Sequence, residues 1–166
     1  MATTVATASP RTIRPLYLLA LLGAERCAPI EGRTRLVKLV FLLQKKILEE
    51  LRLGFARDAY RFRPFNYGPF TEEVYDDFET LRIRGLASVE GDDEAVQRFQ
   101  LTDKGRAILS NLTANQTIPP ALFAEIQELK RTYGSLPLDQ LIKRVYSQYP
   151  SYTGKSLIKD SIEAGP

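Results

Sequence analysis

The chain has 166 residues, of which 44% are apolar and 26% charged, and its formal net charge is +3 at pH 7. This composition is typical of a globular protein that buries a hydrophobic core, and it excludes a disordered chain and a collagen-like repeat. The sequence contains no histidine and a single cysteine, Cys27. It therefore also excludes a disulfide scaffold and the usual zinc sites, which draw on several Cys and His side chains.

The missing histidine limits the chemistry further. Ser-His-Asp and Cys-His nucleophile systems need an imidazole base that this chain lacks, so we expect a non-enzymatic protein with no cofactor and no metal. The lone cysteine predicts a reducing, cytoplasmic environment. No apolar stretch approaches the ~20 residues that a membrane-spanning helix needs, and we expect no membrane partner.

The charge is distributed unevenly along the chain. Residues 1–70 hold 12 Lys and Arg against 5 Asp and Glu, whereas residues 71–101 hold 3 against 9. Residues 102–166 hold 8 against 6. Such asymmetry says more about possible partners than the total charge does.

Periodic apolar residues predict the first two helices. Residues 1–10 form a predicted flexible tail, Thr12 is a candidate N-cap, and a helix is predicted over residues 11–23. A loop over residues 24–32 follows. The next helix, predicted from Thr34 to about residue 53 and ended by Gly54, is the most apolar of the chain. Its apolar positions cover two faces, which predicts a central helix.

An aromatic segment and an acidic helix come next. Residues 60–65 alternate aromatic and Arg side chains, which predicts a short half-buried strand, and residues 66–70 predict a turn. Thr71 is positioned to cap a helix that runs to about Arg84, with Phe70 and Tyr75 placed to form a hydrophobic staple.

The remaining elements are a hairpin and three helices. Residues 86–89 and 96–101 are strand candidates joined by an acidic loop over 90–94, and Thr102 caps a predicted helix over 103–112. A hinge separates these elements from a predicted pair of helices within residues 118–150. The first helix of the pair ends at Gly134, and the second begins at Pro137 and ends before Pro150. Residues 151–166 are predicted to be a C-terminal tail.

This order of elements predicts an α+β, mainly α fold with a winged helix-turn-helix-like core. The core is predicted over residues 11–113, with the acidic helix as its third helix and the hairpin as a two-stranded wing. The pair over residues 118–150 is predicted to pack on this core.

Three separated motifs carry a resemblance to a known family. They are Arg35-Leu36-Val37-Lys38-Leu39-Val40-Phe41-Leu42-Leu43-Gln44, Phe62-Arg63-Pro64-Phe65-Asn66-Tyr67-Gly68-Pro69-Phe70 and Tyr146-Ser147-Gln148-Tyr149-Pro150-Ser151-Tyr152-Thr153-Gly154-Lys155-Ser156. Together they resemble the YwgA-like proteins of bacteria, archaea and prophages, which are distantly akin to the Panacea-type antitoxin domain. The resemblance implies a winged-helix-like fold and a regulatory or antitoxin role, and it brings no catalytic residues with it.

A basic set is the candidate DNA-binding site, because its side chains could neutralise phosphates. The alternative is that they solvate the outer sides of amphipathic elements. The set comprises Arg33, Arg35, Lys38, Lys45, Lys46, Arg57, Arg61 and Arg63.

The third helix of a winged helix normally enters the major groove, but here its outer face is acidic and would repel DNA. The candidate is instead a docking face for a basic partner such as a toxin or effector, or a merely solvated face. Only the apolar residues of this helix are expected to matter for folding. The acidic residues are Glu72, Glu73, Asp76, Asp77 and Glu79.

Two groups of aromatic residues remain. Tyr146, Tyr149 and Tyr152 either dock a partner or a second protomer, or cap the core. The aromatics of residues 60–70 could stack bases or form a protein-binding hot spot, but their alternation with Arg favours packing in the core.

Two functions stay open. The first is a DNA-associated regulator or antitoxin-like component of a prophage or defence locus, and the second is a protein–protein adaptor that uses the winged-helix fold without touching DNA. One contiguous basic surface would favour DNA, and a dispersed set would favour the adaptor.

Overall fold

The computed structural model describes residues 13–49, 59–93 and 96–153. Over these residues the protein is an α+β structure made mostly of helices, with two small antiparallel sheets. The predicted α+β, mainly α class is therefore correct. None of the helices in the described ranges is both long and apolar enough to cross a membrane.

The first two helices form the centre of the core. Helix α1 spans Ile13–Cys27, but its regular part ends near Gly23, because Ala24 is extended and Glu25 and Arg26 have left-handed dihedral angles. Strand β1, Ile30–Glu31, lies in the segment predicted to be a loop. Helix α2, Arg33–Leu43, is buried at every position from Leu36 onward and continues into a π-helical turn, Gln44–Leu48. The prediction of a central helix is confirmed, and its predicted end lies outside the described residues.

A two-stranded hairpin follows. Strands β2, Arg63–Phe65, and β3, Gly68–Phe70, pair antiparallel around a turn at Asn66 and Tyr67. The predicted strand over residues 60–65 is too long. The side-chain amide of Gln44 bonds both the backbone N–H (2.7 Å) and the carbonyl (3.0 Å) of Tyr60, and the Arg61 N–H donates to the Glu73 carboxylate instead of to a strand. The predicted turn over residues 66–70 is too long as well, since its second half is β3.

Helix α3 spans Glu73–Ile83. The Thr71 hydroxyl accepts the Glu73 N–H at 3.2 Å, and the rings of Phe70 and Tyr75 lie 5.9 Å apart, as the predicted cap and staple require. Strands β4, Ala87–Glu90, and β5, Arg98–Leu101, form the predicted hairpin. Strand β1 adds to its other side, which gives a three-stranded sheet in the order β1-β5-β4.

The last helices cover the core. Helix α4, Asp103–Ala114, begins at the predicted cap, where the Thr102 hydroxyl accepts the Gly105 N–H at 3.1 Å. Helices α5, Pro120–Tyr133, and α6, Leu138–Gln148, begin and end close to the predicted Pro and Gly signals. Helix α5 packs on α1 and α2, α6 packs on α2, and a short 3₁₀ turn, Pro150–Tyr152, follows.

Candidate binding surfaces

Two members of the predicted DNA-binding set hold the fold together. The Arg35 guanidinium donates hydrogen bonds to the carbonyls of Gly134 (3.1 Å) and Leu136 (2.6 Å), which ties α2 to the segment between α5 and α6. Lys38 is buried, and its Nζ donates to the Pro69 carbonyl at 3.0 Å. Burial lowers the pKa of Lys38 to about 8, because the charged form loses hydration. The charge of Lys38 is therefore withdrawn from solvent, and Arg35 is half-buried.

Two further members lie over aromatic rings. Lys45 lies 5.8 Å from the Tyr152 ring centroid and 3.4 Å from a Glu49 carboxylate oxygen. Lys46 lies 5.8 Å from the ring centroids of both Tyr133 and Tyr149. Both lysines belong to the π-helical turn and are only half-exposed.

The arginines of the hairpin pair with the acidic helix. Arg63 forms a two-pronged contact with the Glu72 carboxylate at 3.0 and 3.1 Å, which lowers the pKa of Glu72 to about 2. Arg61 lies 2.9 Å from Glu73. Arg33 stacks over the Tyr75 ring, with its guanidinium carbon 4.1 Å from the centroid. Arg57 lies outside the described residues.

The acidic helix is bound into the fold at its inner side. Asp77 is buried, accepts a hydrogen bond from the Tyr60 hydroxyl at 2.6 Å and lies 3.1 Å from Arg14 Nε of α1. Glu73 lies 3.2 Å from Arg14 and accepts the Arg61 N–H at 2.8 Å. The interpretation of the acidic residues as an outer face without a part in the fold is therefore wrong for these two.

The same residues show how burial and ion pairing compete. Burial raises the pKa of Asp77, since the effect outweighs the Tyr60 hydrogen bond and the charge of Arg14. Burial acts on Glu73 in the same direction, but its hydrogen bonds to Arg61 and the charge of Arg14 prevail and lower its pKa. Sequence reasoning did not identify Arg14 or Tyr60, because the partners lie 63 and 17 residues from Asp77 along the chain.

On the outer side of α3, two of the remaining acidic residues are paired as well. Glu72 pairs with Arg63, and Glu79 pairs with Arg82. Asp76 is exposed, and no cation of the described residues pairs with it. A continuous unpaired acidic face is therefore absent from the described part of α3.

The C-terminal tyrosines cover the centre of the core. The rings of Tyr149 and Tyr152 meet the buried Phe41 ring edge-on, with centroids 5.0 and 4.8 Å away, and Phe62 meets it from another side at 5.0 Å. Tyr146 is buried beneath the hairpin, and burial raises its pKa to about 12. The three motifs of the family resemblance thus meet at Phe41.

Gly68 explains why the hairpin can lie so close to α6. Its φ is +100°, and a Cβ there would lie 2.8 Å from Cε1 of Tyr146. A side chain at this position would therefore be both strained and obstructed.

A buried lysine that sequence reasoning also missed closes the end of α1. Lys130 Nζ donates to the carbonyls of Leu22 (3.0 Å) and Ala24 (2.9 Å). These are carbonyls left open where the helix ends, and a cation there satisfies them. Burial lowers the pKa of Lys130 to about 8.

A further group combines two exposed aromatic residues, Phe65 and Tyr67, with half-buried aromatic residues and with arginines next to them. We call this group the aromatic ladder: Phe65, Tyr67, Phe70, Tyr75, Arg33 and Arg63. The rings of Phe65 and Phe70 are 5.1 Å apart, Phe70 continues to Tyr75, and Arg63 lies over both phenylalanines at 5.6 and 5.4 Å. Phe65 is 39% and Tyr67 42% exposed. The expectation that the aromatics of this segment pack in the core holds for Tyr60, and Phe62 and Phe70 pack against the core while half-buried. It is wrong for Phe65 and Tyr67.

The described residues contain no group of three or more His, Cys, Asp or Glu side chains arranged to hold a metal ion. No protein-family model matches the sequence, and a comparison with curated proteins finds no match either.

Proposed function

We propose that this protein is a non-enzymatic protein–protein adaptor built on a winged-helix-like core, and that it binds a partner through the aromatic ladder. The sheet order β1-β5-β4 with α1, α2 and α3 ahead of the hairpin supports the winged-helix assignment. The resemblance to the YwgA-like proteins points in the same direction, and an antitoxin-like role in a defence locus remains part of the proposal.

The distribution of cations favours the adaptor over the DNA-associated regulator. Seven of the eight predicted phosphate ligands lie within the described residues, and each of them contacts a carboxylate, a backbone carbonyl or an aromatic ring. Binding of DNA phosphates by these side chains would have to compete with those contacts.

The observation that carries the proposal is the exposure of Phe65 and Tyr67 beside the stacked rings and Arg side chains of the ladder. Aromatic residues and Arg are enriched at the energetic centres of protein interfaces. The charge of Arg63 is balanced by Glu72, so the part of the ladder around Phe65 and Phe70 suits an apolar face of a partner protein.

The test is quantitative affinity capture from the native host. We expect Phe65→Ser with Tyr67→Ser to lose a partner that the wild-type protein retains. The matched control, Val96→Ser with Leu138→Ser, changes exposed apolar residues elsewhere and should retain it. Identical partners for wild type and the ladder variant would refute the proposal. Retention of duplex DNA by wild type at low salt, lost on Arg61→Glu with Lys45→Glu, would favour the regulator instead.

A further inference from the structure

The last turn of α3 and the first turns of α4 meet in a corner that hydrogen bonds hold together, at the opposite end of α3 from its first turn. The Thr102 hydroxyl donates to the Gly85 carbonyl, the Thr102 N–H donates to the Leu86 carbonyl at 3.0 Å, and Lys104 Nζ donates to the Arg84 carbonyl at 3.2 Å. We name the side chains that it presents, Ile83, Arg84, Lys104 and Ile108, the cationic corner.

The corner exposes apolar side chains. Ile83 is 72% exposed, the largest fraction for a large apolar side chain among the described residues. Ile108 is also exposed, and it lies one helical turn after Lys104 on the same face of α4. Core packing does not account for Ile83, since most of its surface stays exposed.

The cations of the corner differ from the others on the same helices. Arg82 pairs with Glu79, and Arg106 lies 3.9 Å from Asp103. Arg84 and Lys104 are exposed, and neither has a carboxylate partner within the described ranges of the chain. A ligand complementary to these side chains would carry negative charge next to an apolar group.

The acidic far end of the β4–β5 hairpin favours a short ligand at the corner over a long one. Ala87 pairs with Leu101 at the root, near the corner, whereas Glu90 lies at the far end, about 10 Å away at the usual rise of a strand. Asp92 and Asp93 follow Glu90 and are exposed. A nucleic-acid backbone extending along the hairpin would meet these carboxylates, but a short peptide would not.

We propose that the cationic corner binds a short acidic segment of a partner protein, in which carboxylates flank an apolar side chain. The carboxylates pair with Arg84 and Lys104, and the apolar side chain covers Ile83 and Ile108. This surface lies at the opposite end of α3 from the aromatic ladder and does not depend on it. An adaptor with both surfaces would connect two partners.

The test uses a fluorescein-labelled peptide of repeated Glu-Glu-Leu triplets and measures its binding by fluorescence anisotropy at low salt. We expect saturable binding that weakens about tenfold in Arg84→Glu with Lys104→Glu and falls as salt increases. Ile83→Ser should weaken it several-fold. The matched control is Lys143→Glu with Arg144→Glu, which makes the same charge change at exposed positions of α6 and should bind as the wild type does.

Several results would overturn the proposal. They are no binding of this peptide to the wild type, equal binding by the corner variant, and equal weakening by the control variant. A peptide with Ser in place of Leu that binds equally well would remove the role of the isoleucines. Binding of a duplex DNA probe through Arg84 and Lys104, without peptide binding, would make the corner a phosphate site. The ladder variant Phe65→Ser with Tyr67→Ser should bind the peptide normally, which separates this proposal from the ladder. Circular dichroism checks that every variant is folded.

Discussion

The two ends of helix α3 are both rich in charge, but they use it differently. At the first turns, Glu73 and Asp77 face Arg14 of α1, and Glu72 meets Arg63 of the hairpin. At the last turn, Arg84 has no carboxylate partner among the described side chains and lies beside the most exposed isoleucine. A run of like charges in a sequence therefore predicts a binding face only where the fold brings no opposite charge to it.

The largest expected effect concerns the buried carboxylate at the first end. Asp77→Ala should lower the free energy of unfolding by about 3 kcal/mol, since it removes the carboxylate that accepts the Tyr60 hydroxyl and one of the two carboxylates that face Arg14. Asp76→Ala, one residue away and exposed, should change it by less than about 0.5 kcal/mol. Urea unfolding measures both. Equal effects would mean that the two carboxylates are equivalent and that the inner network contributes nothing.

The second prediction concerns the rigidity of the opposite end. Gly105→Ala would place a Cβ 2.0 Å from the Leu86 carbonyl oxygen, so the start of α4 would have to move away from the end of α3. We expect a loss of about 1–3 kcal/mol in urea unfolding, typical of overpacking. The control Ser110→Ala, exposed on the same helix, should stay within about 0.5 kcal/mol. An unchanged free energy of unfolding for Gly105→Ala would show that α4 can move away from the end of α3 at no cost.

The third prediction uses the buried lysine beneath the hairpin that precedes α3. Because the pKa of Lys38 is about 8 in the folded protein and 10.5 as its ordinary value, the unfolded chain binds more protons between these pH values. The free energy of unfolding should therefore rise with pH across this window. Lys130 acts in the same direction, since its pKa is also about 8.

Lys38→Met should make this rise smaller, whereas Lys143→Met, at an exposed position, should leave it unchanged. Above about pH 10 the free energy of unfolding should fall with pH instead. The pKa of Tyr146 is raised to about 12 in the folded protein, so the unfolded chain loses this tyrosine proton first. Urea titrations at several pH values measure the slopes. A flat profile in the wild type would contradict the role of both lysines.

The smallest effect is expected at the exposed pair of the first end. Arg63→Gln should leave the melting temperature nearly unchanged, since exposed ion pairs contribute little. It should raise the pKa of Glu72 from about 2 toward its ordinary value of 4.5, as followed by NMR of the side-chain carboxyl. Arg82→Gln removes the partner of Glu79 instead and should leave Glu72 as it is. A Glu72 pKa that does not respond to Arg63→Gln would show that the pair does not form in solution.

The sequence by itself determined the start of α4, the approximate bounds of α5 and α6 and the β4–β5 hairpin, because their signals are local. Thr102 caps α4 through a hydroxyl three residues from its partner, and Gly134 and Pro137 act on the backbone of their own segments. The burial of α2 was also visible, since apolar residues on two faces of one helix need neighbours on both sides.

Only the tertiary structure decided which charged side chains are paired within the fold and which are exposed to solvent. The partners of Asp77, Arg35 and Lys130 come from segments 63, 99 and 108 residues away, and no periodicity within one element encodes such distances. The two-residue strand β1 and the shortened β2 have the same origin. Residues 30–31 form a strand because they pair with the edge of β5. Residue 60 does not extend β2 because its backbone N–H and carbonyl are bonded to the Gln44 amide. A backbone or charged group without a local partner pairs with whichever group the fold places next to it. Its partner therefore depends on neighbours in space rather than on neighbours in sequence.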